Sequence, residues 1–326
     1  MFFKHTSDIQ HKMNICGKEK EPFLFAVNFE MTEGFFIKNP LYQTEVLFKL
    51  LETQNYLTEN NYPSDIQFRH NPINYNQYKD KFDIVHNGLQ TGYSYLTNLT
   101  IRTPVATNLS LNEIFKYSNA PYKLLLPGKF VCFSPERFVK ISGDVISTNP
   151  MKGTIDASIP NAEQIILNDY KETAEHNTIV DLLRNDLSII SEKVRVNRFR
   201  YIDQIKTNQK DILQVSSEIT GILQPEIKEN LGDIIFGMLP AGSISGAPKS
   251  ATLDIIKRAE GEPRGYYTGI FGYFDGNTFD SAVMIRFIEE RDSQYYFRSG
   301  GGITVYSDCT SEYEEVISKI YLPIYK

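Results

Sequence analysis

A mixed α/β fold, one domain with many strands and several helices, is what the sequence predicts, and three observations predict it. Short runs of alternating apolar and polar residues, such as "PFLFAVNFEM" and "YSYLTNLTIRTP", recur along the chain and read as strands. Asn161 to about Val194 contains no Gly or Pro and many helix formers. At 326 residues, 41% hydrophobic and 23% charged, the chain can bury a sizeable core, and no repeat or linker-like stretch divides it.

In chain order, residues 22 to 70 alternate between strand-like runs and polar turns such as "ENNYPSD". "YNQYKDKFDIVHNGLQTG" has the helical spacing Phe82, Val85, Leu89 and stops at Gly92; "YSYLTNLTIRTP" then returns to strand. "KFVCFSPERFVKISGDVIST" reads as two strands around the turn "SPE", followed by a turn that carries Lys152 between Asn149-Pro150 and Gly153-Thr154. One or two long helices fill "NAEQIILNDYKETAEHNTIVDLLRNDLSIISEKV", and strands return from Arg195 to Leu223. "GSISGAPKSATLDIIKRAEG" is a Gly-rich loop feeding a helix that ends at Gly261. The segment from Gly269 to Ser307 alternates as a β-meander with the turn "FDGN", and "SEYEEVISKIYL" is a closing helix in which Ser311 and Glu314 make a capping-box pattern.

Composition excludes several classes. A net charge of -6 leaves no evident basic face for nucleic acid, although an anionic small molecule can still be held by a few cations in a cleft. Three distant cysteines, Cys16, Cys132 and Cys309, form neither a disulfide framework nor a zinc motif, which points to a cytoplasmic protein. No window approaches the roughly 20 apolar residues of a membrane span. "GSISGAPKS" fails the phosphate-loop template, because Ala247 replaces its second glycine and Pro248 removes a donor N–H.

The residues that can carry chemistry lie in four places. Glu312, Glu315 and Lys319 share a face of the closing helix, after the glycine run Gly300, Gly301 and Gly302, read as a loop whose N–H groups approach an anion. Glu172 and Glu175 share a face of the long helix. Two such pairs suit a hard cation such as Mg²⁺; solvated helix faces fit the same spacing. Arg286, in an alternating strand, either meets solvent or is buried with a carboxylate partner. Lys152 as nucleophile and Glu136 as a protonated acid are permitted by physics, as are a solvated turn lysine and a surface glutamate. His176 reads as a surface histidine.

The motifs "SPERF", "NPMKGT", "AEHNTIVDLLRND", "LPAGSISGAPKSATLDII", "GIFGYF", "MIRF", "GGGI" and "SEYEEVISKI", in this order, resemble the chorismate-utilising enzyme family. The resemblance spans residues 75 to 322 of a single domain over 1 to 326, with residues 1 to 70 weakly matched. It implies an α/β (α+β) domain of packed, mainly antiparallel β-sheets with outer helices, and a need for Mg²⁺. By motif position, Glu175 and Glu315 resemble the metal ligands, with Glu172 and Glu312 beside them. Arg286, Tyr273, Lys319 and the amides of Gly300 to Gly302 resemble the groups that hold the carboxylates of chorismate, and Gly153 and Thr154 flank the nucleophile on the substrate side.

Within the family the lysine turn resembles that of the aminodeoxychorismate synthase branch, where it implies attack of Lys152 on C2 of chorismate while Glu136 helps the C4 hydroxyl leave. Ammonia would add at C4, giving 4-amino-4-deoxychorismate for p-aminobenzoate and folate synthesis. The anthranilate synthase branch, with alanine in place of the lysine, is the alternative; a non-catalytic homologue is a further one. Leu96 stands where isochorismate-forming relatives carry a water-activating lysine, and Gln214 where the family commonly has histidine. No cysteine lies in a glutaminase nucleophile turn, so the resemblance implies a separate glutamine amidotransferase subunit as ammonia source. No "LLES"-like segment is present, so tryptophan inhibition is not expected.

Overall fold

The computed structural model describes residues 2–57, 63, 65–205 and 211–324. It begins with β1 (Phe2–Phe3), α1 (Thr6–Glu19), β2 (Phe23–Val27), β3 (Gly34–Lys38), β4 (Leu47–Leu50), β5 (Thr53–Gln54) and β6 (Phe68–His70). Next come α2 (Tyr75–Gln90), β7 (Leu96–Thr107), α3 (Leu111–Tyr117), β8 (Tyr122–Leu126), β9 (Phe130–Ser134), β10 (Arg137–Ser142), β11 (Val145–Thr148) and β12 (Met151–Asp156). The middle holds α4 (Ala162–Asn168), α5 (Tyr170–Ile190), β13 (Glu192–Ile205), β14 (Ile212–Ile222), α6 (Leu231–Met238), α7 (Gly242–Ser245), β15 (Gly246–Ala247) and α8 (Lys249–Glu260). The meander β16 (Ile270–Phe274), β17 (Thr278–Val283), β18 (Phe287–Arg291) and β19 (Gln294–Ile303) leads to α9 (Cys309–Ser318).

The strands form two sheets, and every pairing among the described residues is antiparallel. One runs β1-β3-β2-β16-β17-β10-β11-β14-β12 with β13 on β14; the other runs β15-β7-β19-β18-β9-β8-β4-β5 with β6 on β7. Strand alternation decides which residues meet between them. On β2, Leu24 and Ala26 face the second sheet and join Phe48, Leu124, Cys132 and Phe287, while Phe23, Phe25 and Val27 face outward into the core under the helices. The amino-terminal part is therefore integral, since β2 and β3 continue the first sheet and β4 and β5 the second. Helices cover the outer faces, as expected, and none of those described is long and apolar enough to cross a membrane.

Four helices escaped the sequence reading, α1, α3, α6 and the four-residue α7 within the Gly-rich stretch. In α1 the buried Ile9, Met13 and Cys16 follow helical spacing, but the weakly apolar remainder masks it; α3 and α6 are short. The long helical segment breaks at Asp169, whose side chain caps α5 by accepting from the Glu172 amide at 2.9 Å. The closing helix is capped by Asp308, which accepts from the Ser311 amide, so the cap lies three residues before the predicted one.

Two crossovers position the site. The chain passes from the second sheet to the first between β9 and β10, at Pro135-Glu136, and returns between β17 and β18, at 284–286. They run side by side: the Val283 amide donates to the Glu136 carbonyl at 3.2 Å and the Phe133 amide to the Arg286 carbonyl at 3.0 Å. Arg286 is thus in a link between sheets, not in an alternating strand, and its φ of 52° is the left-handed conformation that costs a non-glycine residue about 1 kcal/mol or more.

Candidate active site

Lys152 lies on β12, next to an irregularity in its pairing with β14, where the register shifts between Met151 and Thr154. The turn inferred from Pro150 and Gly153 is instead a bulged strand, which re-aims one side chain without leaving the sheet. Gly153 has φ 84°, and a Cβ there would meet Glu172 Oε2 at 3.1 Å, so glycine is needed for both conformation and space. Thr154 is exposed and faces Gln214 across the ladder. Lys152 Nζ pairs with Glu175 Oε2 at 2.8 Å, with 29% of the lysine side chain accessible. Burial works against its charge, but Glu175, Glu315 and Glu172 outweigh burial and hold the ammonium's pKa above the ordinary value.

Glu136, on the first crossover, lies within electrostatic reach of Lys152. Burial pushes its carboxyl pKa up, against a hydrogen bond from Ser243 and the cations Lys152, Arg286 and Lys319. The four charged groups therefore converge from different elements, two of them from the crossovers and their surroundings, one from β12 and one from the end of α9.

On the second sheet, β18 pairs with β19 only as far as Arg298, so the stretch that holds the three glycines has β7 on one side and an open edge on the other. These glycines form a strand rather than a loop. Lys319 Nζ donates to the Gly300 carbonyl at 2.8 Å, so that carbonyl faces the open edge. In an antiparallel strand the N–H and C=O of one residue point the same way and alternate along the chain. The amides of Gly300 and Gly302 thus face the open edge, whereas that of Gly301 is turned to β7. Gly301 contributes space: a Cβ would lie 3.4 Å from Glu312 Oε2, 3.7 Å from Glu315 Oε1 and 3.8 Å from Lys319 Nζ.

Glutamates of the two predicted helices act on one another across the site. Burial, then Glu175, raise the pKa of Glu172, with Glu315 from α9 contributing. Glu312 is 2% exposed. Lys319 Nζ pairs with Glu315 Oε1 at 2.6 Å. Its pKa is pulled below the ordinary lysine value by burial, helped by Lys152 and Arg286 and only partly opposed by Glu315. An all-oxygen donor set with mutually repelling carboxylates fits a hard divalent cation. Among the described residues, no three His, Cys, Asp or Glu side chains are already gathered around one point; the two lysines meet Glu175 and Glu315 instead.

Arg286 makes a long contact, 3.4 Å, with the Tyr321 hydroxyl and no ion pair among the described residues. It is the cation of the site most available to an anion. Tyr273 is not brought here: on β16 it points between the sheets, its ring 5.6 Å from that of Phe48. Besides Tyr321, Tyr267 also has Arg286 in its surroundings; burial lifts its hydroxyl to a pKa of about 12 against the pull of Arg264 and Arg286. The regular hairpin register, in which Ile270 pairs with Val283 and Tyr273 with Asp280, stops short of Tyr267: the Thr268 amide donates to the Met284 carbonyl while the Met284 amide donates to the Gly269 carbonyl, and Thr268 has φ 59°, so a bulge separates Tyr267 from the strand that carries Tyr273.

His176, read as a surface residue, is 1% exposed, and its Nε2 lies 2.7 Å from Ser217 Oγ. Helical periodicity turns it inward one position beyond Glu175. Lys249, in the stretch that failed as a phosphate loop, pairs with Asp186 Oδ1 at 2.9 Å and donates to the Met238 carbonyl at 2.6 Å, so its ammonium is held by the fold.

Glu136, Lys152, Arg286 and Lys319, with Glu172, Glu175 and Glu315, thus form one network of interacting charges drawn from β12, the two crossovers and the helices α5 and α9. The chain belongs to the chorismate-binding enzyme family, whose description it matches over residues 29–324. The match thus starts well before the motifs at residue 75. It is 50% identical to a PabA-like protein of Haemophilus influenzae over 98% of both chains. It is 32% identical to aminodeoxychorismate synthase component 1 of Bacillus subtilis, covering 72% of this chain and 52% of that one. It is 33% identical to an anthranilate synthase component 1 of Haloarcula marismortui, covering 74% and 51%. The chain therefore spans about half the length of these two synthases. The menaquinone-specific isochorismate synthase MenF of Escherichia coli shares the fold, with a TM-score of 0.74 at 14% identity over 98% of this chain and 82% of that one.

Proposed function

We propose that the protein aminates chorismate at C4, yielding 4-amino-4-deoxychorismate for p-aminobenzoate and folate synthesis. The observation that carries the reading is the proximity of Lys152 to the half-buried acid Glu136, whose carboxyl it acts on electrostatically. Arg286, Lys319 and the outward amides of Gly300 and Gly302 bind the two carboxylates of the substrate. Glu175 and Glu315, with Glu172 and Glu312, would hold Mg²⁺, which when bound would supply charge neutralisation for a substrate carboxylate.

The ion pair with Glu175 holds Lys152 as the ammonium, so one proton must pass to the Glu175 carboxylate before attack, and it returns when the lysine is released. The free amine then bonds to C2, the ring double bond shifts, and the C4–O bond breaks as Glu136 gives its proton to the departing oxygen, which leaves as water. Ammonia adds at C4, the electrons shift back, and the C2–N bond breaks to return Lys152, with the proton shed by the added nitrogen restoring Glu136. Ammonia comes from a separate glutamine amidotransferase subunit, with ammonium as its replacement in vitro, and the cytoplasm is the compartment that suits three unpaired thiols.

The test is mass spectrometry of products from chorismate, Mg²⁺ and ammonium, with wild type and Lys152→Ala. Aminodeoxychorismate from the wild type and its near loss in the variant are expected. Anthranilate as product, or a variant as active as wild type, would overturn the reading; absence of any product would revive a non-catalytic role.

A further inference from the structure

The segments "LLRND" and "GSISGAPKS" have no part in the chemistry above, yet they meet at the acid. Ser243, on α7, donates its hydroxyl hydrogen to Glu136 Oε1 at 3.1 Å. A four-residue helix has too few internal bonds to hold its own position. This one is tied from outside: the Gly242 amide donates to Asp186 Oδ2 at 2.9 Å, and Asp186 Oδ1 pairs with Lys249 at 2.9 Å. Asp186 is 2% exposed and lies on α5, the helix that also carries Glu172 and Glu175. A Cβ on Gly242 would approach Asp186 Oδ2 to 2.9 Å, so glycine permits the contact.

We infer that Ser243 is a positioning residue for Glu136: its hydroxyl occupies Oε1 and so keeps the acid's own proton on Oε2, the oxygen left for the leaving group. The inference rests on the proposed role of Glu136. A protonated carboxyl has one carbonyl-like oxygen, which accepts, and one hydroxyl oxygen, which donates. A donor fixed at Oε1 therefore disfavours the form with the proton on that oxygen. The charged groups facing Glu136 are Lys152 from β12, Arg286 from the crossover and Lys319 after α9. All three are cations, which favour the ionised acid without choosing between its oxygens. The hydroxyl of Ser243 makes that choice, and Asp186 with Lys249 fixes where the hydroxyl stands.

The test compares wild type, Ser243→Ala and Ser243→Thr in pH profiles of chorismate turnover, in identical ammonium and Mg²⁺, so that titration of ammonium cancels in the comparison. Ser243→Ala should lower plateau kcat by about tenfold with KM for chorismate nearly unchanged. Loss of a donor to the carboxylate should also move the alkaline limb upward by about one unit. Ser243→Thr, which keeps the hydroxyl, should stay close to wild type. A Ser243→Ala profile superimposable on wild type, or a Ser243→Thr loss equal to that of alanine, overturns the inference. Infrared difference spectra against Glu136→Gln read the same carboxyl without turnover. A shifted carboxyl band and a higher titration midpoint in Ser243→Ala support the inference, and an unchanged band and midpoint overturn it, even if the wild type makes no aminated product and the proposed function fails.

Discussion

Gly301→Ala separates folding from binding at this site. Its new methyl would stand 3.4, 3.7 and 3.8 Å from Glu312 Oε2, Glu315 Oε1 and Lys319 Nζ. These are ordinary contact distances, and Gly301 is not among the residues of positive φ, so the strand accepts alanine. Lower entropy of the unfolded chain even contributes about 0.4–1 kcal/mol toward stability. The cost falls on the ligand, because the methyl intrudes between the ammonium and two carboxylates where a substrate carboxylate is to bind. Losing one charge-assisted hydrogen bond costs about 1.5–3 kcal/mol, which raises KM for chorismate about 10- to 100-fold. Thermal melting should stay within a degree or two of wild type while steady-state assays show the higher KM. An unchanged KM in a protein of unchanged stability would refute the reasoning that this strand cradles the substrate.

Three further outcomes follow from the same geometry. Asp186→Ala removes a buried carboxylate and leaves Lys249 and the Gly242 amide unpaired, so it should cost about 2–3 kcal/mol and lower the melting temperature by about 5 °C, read by calorimetry. Burial, with Arg200, depresses the His176 pKa from 6.5 to about 4; stability is fully present above pH 6.5 and is lost as pH falls toward 4, by about 3 kcal/mol. Urea unfolding between pH 7 and 4.5 should show that slope in wild type and a flatter one in His176→Asn. Tyr267→Phe should raise KM for chorismate several-fold while Tyr273→Phe leaves it unchanged, and equal effects of the two would contradict the placement of Tyr267 near Arg286 and of Tyr273 between the sheets.

Residue types and their order made much of the site legible. Local pattern identified the meander, α2, the helix ending at Gly261 and the segment that carries Glu172 and Glu175, because period and punctuation are written within each segment. Motif resemblance went further, to Lys152, Glu136, Arg286, Lys319 and the four glutamates; of these Lys152 pairs with Glu175, Lys319 with Glu315, and Glu136 lies near the three cations. What it could not supply is which side of a segment faces the cavity. The Gly300–Gly302 stretch looked like a loop because glycines carry no side-chain alternation, yet β7 pairs with it throughout. Tyr273 shared a motif with its neighbours, but strand parity turns it into the space between sheets.

The sequence by itself determined the α/β class, the family and the chemical inventory, since each depends on residue identity and near-neighbour spacing. Only the tertiary structure decided that Arg286 and Glu136 lie on adjacent crossovers, that Tyr267 rather than Tyr273 faces the arginine, that His176 is buried, and that Ser243 touches the acid. Those relations depend on register and on contacts between segments far apart in the chain: Ser243 and Glu136 are separated by 107 residues. Local propensity carries no information about such distances; packing of the two sheets supplies it.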